Sequence, residues 1–222
     1  MNPDQIHPTA SKGSQFWLQH CIINYREHLD HVISEACGVS LPLDWKSPLP
    51  PRFTEFRDTA FLKALELEEF DDELSKFWPK QGPCWDGLAM SGKTRILIEA
   101  KANILEWISD GKASSPESIG QIQNSLNGAA AALKVNPHID WNRGLFQFAN
   151  RLAHQWFLQD RCGIKTKLVF LSFTGDTTHF PRSKDEFKGA LEMAEALLGL
   201  GPRHRGRRYC HAYIDVSEIP IR

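Results

Sequence analysis

The chain reads as an α/β fold, a mixed sheet flanked by helices, with a helical extension and a Pro-rich linker over residues 1–52 and the core over 53–222. Three observations predict it. Residues 95–103 alternate at period two, with Ile96, Ile98, Ala100 and Ala102 on one side and Leu97, Glu99, Lys101 and Asn103 on the other. Residues 166–173, Thr-Lys-Leu-Val-Phe-Leu-Ser-Phe, are almost continuously apolar, as in a strand buried on both faces. Amphipathic helical patterns lie between and after these strands, which is how helices come to cover a sheet.

Residues 15–35 carry Phe16, Ile22, Ile23, Leu29, Val32 and Ile33 among charges and read as one helix. His28 and His31 are spaced to share a metal, although exposed helix histidines explain them more simply. Pro42, Pro48, Pro50 and Pro51 argue against regular structure across 41–52. One or two helices fill 54–77, with Phe56, Phe61, Leu65, Phe70, Leu74 and Phe77 on their apolar sides and many acids outside.

A hairpin then joins residues 83–90 to the strand at 95–103. With Ser91-Gly92 as its two-residue loop, Met90 pairs with Lys93 and Asp86 falls opposite Leu97, diagonally beside Glu99. Ser115-Pro116-Glu117 opens a helix with a serine cap and a proline in the first turn. A longer helix runs over 142–161 and is closed by Gly163. On it Gln147, Asn150, Arg151 and His154 make one polar stripe. Ser183-Lys184-Asp185-Glu186 is a capping box for a helix through Leu198, and 209–216 alternates as a final strand.

Asp86, Glu99 and Lys101 carry the chemistry. Two carboxylates on one face are hard oxygen ligands suited to Mg²⁺ or Mn²⁺, few enough to leave positions for water and a phosphate. A lysine beside them can orient the water or stabilise an anionic transition state. Burial lowers its pKa and the carboxylates raise it, and the sequence does not say which prevails. The competing interpretation is an ordinary cross-strand ion pair on a solvated ribbon, against which the apolar run Ile-Leu-Ile-Glu-Ala-Lys-Ala argues.

The pattern of Asp86 followed by Glu99, Ala100 and Lys101, framed by Phe77-Trp78-Pro79, Gly82-Pro83-Cys84-Trp85 and residues 147–154, resembles the PD-(D/E)XK nuclease superfamily, in a branch of uncharacterised bacterial proteins. Trp85 stands where the superfamily name has proline directly before the aspartate. The resemblance implies a restriction-endonuclease-like core that hydrolyses phosphodiesters of nucleic acid, DNA before RNA, with Mg²⁺ or Mn²⁺ held by Asp86 and Glu99. It also implies that the polar stripe lies beside the active sheet, with Arg151 on phosphate and Gln147 or His154 holding a water or phosphate oxygen. By the same resemblance the preceding helix offers a glutamate to the site, with Glu55, Glu66 and Glu69 as candidates, and a homodimer is common in such nucleases. Of the strands such a core contains, four are legible here.

A net charge of −1 gives no global attraction to nucleic acid, so phosphate contacts must be local. The one dense basic run, Arg203-His204-Arg205-Gly206-Arg207-Arg208, offers Arg205 and Arg207 for that purpose. Hydrophobic residues at 41% and charged residues at 24% fit a globular, cytoplasmic protein. No apolar run is long enough to span a bilayer, and Asn2-Pro3-Asp4-Gln5 is unlike a signal peptide. Five cysteines without a Cys-x-x-Cys pair indicate reduced thiols and no zinc site. Gly92-Lys93-Thr94 lacks the glycine a phosphate loop needs upstream, and no Gly-x-Ser-x-Gly is present, which leaves nucleotide hydrolysis and serine hydrolysis unsupported. The rival classes are a non-catalytic nucleic-acid-binding or scaffold module on the same fold and, more remotely, an enzyme acting on a small phosphorylated metabolite.

Overall fold

In the computed structural model, residues 6–178 and 180–221 are described. The opening residues Asn2 to Gln5 lie outside them. Five strands form one sheet in the order β1 (Asp44–Ser47), β2 (Gly87–Ser91), β3 (Thr94–Lys101), β4 (Thr166–Thr174) and β5 (Tyr209–Asp215). β2 runs antiparallel to both β1 and β3, whereas β3, β4 and β5 run parallel. The sheet is therefore mixed, and each parallel step is bridged by a connection containing helices.

Alternation along the strands divides the core in two. Ile96, Ile98 and Ala100 of β3, Val169 and Leu171 of β4, and Ala212 and Ile214 of β5 pack with Trp17, Leu18, Leu29 and Ile33 of α1 (Gly13–Asn24) and α2 (Arg26–Cys37). Leu97, Leu168 and Phe170 face the other way, into a layer that includes α3 (Asp58–Ala64), α4 (Asp71–Phe77), α5 (Pro116–Ala132) and α6 (Phe146–Trp156). The 13–37 segment, expected as an extension, thus supplies one of the two helical layers. A large side chain buried in such a core contributes roughly 1.5–3 kcal/mol. The sheet depends on α1 and α2 for that burial.

Three local expectations are corrected. The helix expected over 15–35 is two helices, because Tyr25 leaves helical geometry at φ −136° and ψ 37°. Its hydroxyl donates to the Pro220 carbonyl at 3.0 Å. The Pro-rich segment contains a strand, β1, between Pro42 and Pro48. Only the sheet edge tolerates that composition, since proline cannot donate to a ladder on both sides. Trp45 anchors the strand by donating through Nε1 to Asp30 Oδ1 at 2.7 Å. Finally, α6 begins at Phe146 and not near residue 142. The four preceding residues form a loop in which Gly144 takes φ 70° and donates to Asp110 Oδ1, after which Ser109 Oγ accepts from Gln147 N.

The pairing of Cys37 with Cys210 corrects the expectation that all five cysteines are reduced thiols. It ties the end of α2 to β5. Cys21, Cys84 and Cys162 are free. Among the described residues, no helix is long and apolar enough to cross a membrane.

Candidate functional site

The β2–β3 hairpin turns one residue later than its sequence indicates. Ser91 pairs with Thr94, leaving Gly92-Lys93 as the loop, and Gly92 adopts φ 55°, a region costly for a residue with a side chain. Gly87 consequently faces Ile98. Asp86, one step beyond, comes level with Glu99 instead of Leu97. Both registers keep Asp86 on the Glu99 face, because moving the loop one residue changes every pairing by two positions. Asp86 Oδ2 accepts from Ala100 N at 2.7 Å, so the carboxylate itself closes the end of the ladder.

Glu99 is 1% exposed and Lys101 5%. Lys101 Nζ donates to Glu99 Oε1, and Arg151 Nε, from α6, donates to Oε2. Arg151 Nη2 also donates to the Cys84 carbonyl at 2.9 Å, and its guanidinium lies 4.9 Å from the centre of the Trp85 ring. Lys101 Nζ sits 5.5 Å from the centre of the Trp107 ring. The polar stripe of α6 is therefore not its wet side. Asn150, Arg151 and His154 are all buried, and Arg151 reaches Glu99 on the sheet.

Two carboxylates, Asp86 and Glu99, and two cations, Lys101 and Arg151, share this space. Burial and the neighbouring Glu99 push Asp86 up to about 7, against the opposing pull of Lys101, the Ala100 amide and Arg151. Burial works against ionised Glu99, yet Arg151 and Lys101 together hold its carboxyl below the usual range. For Lys101 burial is again the largest influence and opposes the charge. Glu99 and Asp86 outweigh it, and the ammonium ends above its ordinary value.

A cleft of about 390 Å³ opens over Asp86, with Glu55, Cys84, Gln147, Asn150 and Arg151 on its walls. Glu99 and Lys101, both buried, are not among its lining residues; Asp86 and Arg151 are. Of the three glutamates considered from sequence, only Glu55 reaches the cleft. Its Oε1 accepts from Gln15 Nε2 at 2.9 Å and its Oε2 accepts from the Cys84 thiol at 3.7 Å. Glu66 pairs with Lys46 at 3.2 Å, and Glu69 is exposed elsewhere on the surface. Cys84 was not singled out from sequence, although it stands two residues before Asp86; burial raises its thiol above the ordinary range.

The other expected contacts divide. Gln147 is half-buried at the cleft, and Asn150 is there too, with its buried Oδ1 lacking a partner among the described residues. His154 does not reach the cleft. It is 1% exposed and enclosed by Trp78, Phe77, Trp85 and Phe61 at ring separations of 4.8, 5.3, 6.2 and 6.4 Å. Its Nδ1 bonds the Asn150 carbonyl at 3.0 Å, and burial lowers its pKa to about 3. Arg205 and Arg207 do not line the cleft either. Arg205 is committed to Glu195 on α7 (Lys184–Leu197) and approaches Glu192 at 3.8 Å, while Arg207 is exposed beside a separate cavity of about 210 Å³.

No group of three or more His, Cys, Asp or Glu residues able to hold a metal occurs among the described residues. The donor set of Asp86 and Glu99 still fits a hard divalent ion sharing its coordination with water. Among the described residues Asp86 Oδ1 has no hydrogen bond, and each Glu99 oxygen, with one donor apiece, keeps a second acceptor position. A cation held there would oppose both the burial and the Glu99 charge that raise Asp86. No family model, curated protein or solved structure matches the chain.

Proposed function

We propose that the chain is a divalent-metal-dependent phosphodiesterase acting on nucleic acid, with a PD-(D/E)XK-like, restriction-endonuclease-like core. One observation carries this reading. The sheet brings Asp86 level with Glu99, with Lys101 on the same face as Glu99, and Asp86 itself lines a cleft open to solvent. Like charges held together in a buried setting are costly for folding, and a bound cation is what such an arrangement serves.

Asp86 and Glu99 would hold Mg²⁺ or Mn²⁺, which when bound supplies Lewis-acid polarisation of a phosphate and lowers the pKa of water. The protein's own groups do the rest. Lys101, held charged by the two carboxylates, stabilises negative charge developing on the phosphate oxygens and orients the attacking water. Arg151 fixes the rotamer of Glu99 from the side away from Lys101. Asn150 and Gln147 present amides to the same cleft, suited to a phosphate oxygen or a water.

A specific observation favours a second reading, a nucleic-acid-binding module without catalysis. Glu99 already has a cation on each oxygen, so its charge is compensated without metal. Calorimetric titration of Mn²⁺ into the wild type and into Asp86→Asn, run beside cleavage of plasmid and oligonucleotide substrates, separates the two. Binding lost in the variant together with metal-dependent cleavage supports the phosphodiesterase. Nucleic-acid binding in a wild type that takes up no Mn²⁺ favours the module.

A further inference from the structure

A second cavity of about 400 Å³ adjoins the carboxylate cleft and shares Lys112, Phe146 and Asn150 with it. Its chemistry is the reverse of the cleft's. No carboxylate lines it among the described residues, while Lys80 and Lys112, both exposed and without an ion pair there, stand at its walls beside Ser114, Ser115 and Ser118. Trp78 and Phe146, whose ring centres are 6.3 Å apart, supply an aromatic side. The volume lies within the roughly 300–1,000 Å³ of small-ligand pockets. A ligand that satisfies these walls has a flat apolar face and an anionic group, and one continuous with the cleft must extend toward Asp86.

The cavity is also shaped in advance. Gln81, at φ 68°, and Gly82 both donate their amides to Asp58, at 3.1 and 2.9 Å. A side chain at position 82 would come within 3.1 Å of Asp58 Oδ1 and 3.3 Å of Trp78 Cδ1, so the loop carrying Lys80 is held against Trp78 with no slack. At the boundary with the cleft, Asn150 is 6% exposed and its Oδ1 is unpartnered. An amide oxygen left unsatisfied there is open to a donor, and the exocyclic amine or imino group of a base provides one.

We infer that this cavity is a subsite for one unpaired nucleotide next to the phosphate bound at Asp86, with the base against Phe146 and Trp78 and its phosphate on Lys80 and Lys112. The assignment rests on the phosphodiesterase reading of the neighbouring cleft and narrows it. Within a duplex both faces of a base are covered by its stacked neighbours, so only a single strand, an end or an extruded base offers a face to an aromatic wall. The substrate class is single-stranded or locally unpaired nucleic acid.

The test is fluorescence anisotropy with a labelled oligothymidylate and with its duplex with oligoadenylate, both in EDTA so that nothing is cleaved. The expected result is at least tenfold tighter binding of the single strand, a loss of about tenfold in Phe146→Ala with recovery in Phe146→Trp, and a comparable loss in Lys80→Glu/Lys112→Glu. The double charge reversal should also flatten the salt dependence of the single-strand affinity. Lys80 and Lys112 are exposed, so those variants fold, and thermal unfolding of each variant guards the Phe146 comparison. Duplex binding as tight as single-strand binding, no binding of either, or unchanged affinity in the charge reversals overturns the subsite. The phosphodiesterase reading fails separately: if Mn²⁺ leaves the oligonucleotide intact while the binding pattern holds, the subsite stands on a non-catalytic protein.

Discussion

Arg151 of α6 and Glu99 of β3 form an ion pair in which neither side chain exceeds 5% exposure, and it joins the helix layer to the face of the sheet that carries Lys101. A pair this dry contributes little net stability over an apolar contact, but removing one partner strands the other. Arg151→Leu should therefore lower the unfolding free energy by about 3 kcal/mol, and Glu99→Gln should recover part of that in the double variant. Urea denaturation of the four proteins of this cycle gives the coupling. A value below about 0.5 kcal/mol would mean the two residues do not depend on each other.

Lys101 stays charged because Glu99 and Asp86 overcome its burial. A charged lysine at this depth acts by position and field, not as a proton acceptor. Lys101→Ala should cut hydrolysis by about 10²–10³-fold and leave Mn²⁺ affinity nearly unchanged, whereas Asp86→Asn should weaken both. Single-turnover rates and calorimetry on the same preparations check this. Normal turnover by Lys101→Ala would remove it from the mechanism.

The face shared by Asp86, Glu99 and Lys101 was legible because strand periodicity is two and survives a one-residue error in the position of the turn. What lay beyond reach depended on contacts distant in sequence. The inward direction of the α6 stripe rested on the family resemblance alone, because Arg151 and His154 look like solvent residues until Glu99 and the cage of Trp78, Phe77 and Trp85 are placed around them. Likewise, Arg205 looks free until α7 brings Glu195 against it. β1 was hidden by its flanking prolines, which only an edge position accommodates. The turn at Gly92-Lys93 differs from Ser91-Gly92 by a choice that the pairing of β2 with β3 settles, not the local residues.

Cys37 and Cys210 are separated by 173 positions, and linking them closes most of the chain into one loop. The link removes configurations from the unfolded state, which in the loop-entropy account is worth a few kcal/mol. Denatured, unreduced protein should titrate three thiols with a disulfide reagent, from Cys21, Cys84 and Cys162. Cys37→Ser, or a reductant, should lower stability by about 2–4 kcal/mol. Five reactive thiols in denatured protein purified without reductant would show that the bond does not form.

His154 ties pH to folding. Its folded pKa of about 3 lies below the ordinary value of 6.5, because burial penalises the imidazolium more than the Asn150 carbonyl can offset. Between these values the unfolded chain binds a proton that the folded protein refuses. Stability from this residue is therefore fully present above about pH 6.5 and is lost progressively as pH falls toward 3. The His154 ring resonances should not titrate in the folded protein down to pH 5, and His154→Phe, which keeps the aromatic cage filled, should flatten the decline in unfolding free energy between pH 6.5 and 4.5 relative to wild type. An imidazole that titrates near 6.5 in the folded state would place His154 in contact with water, and with the cleft.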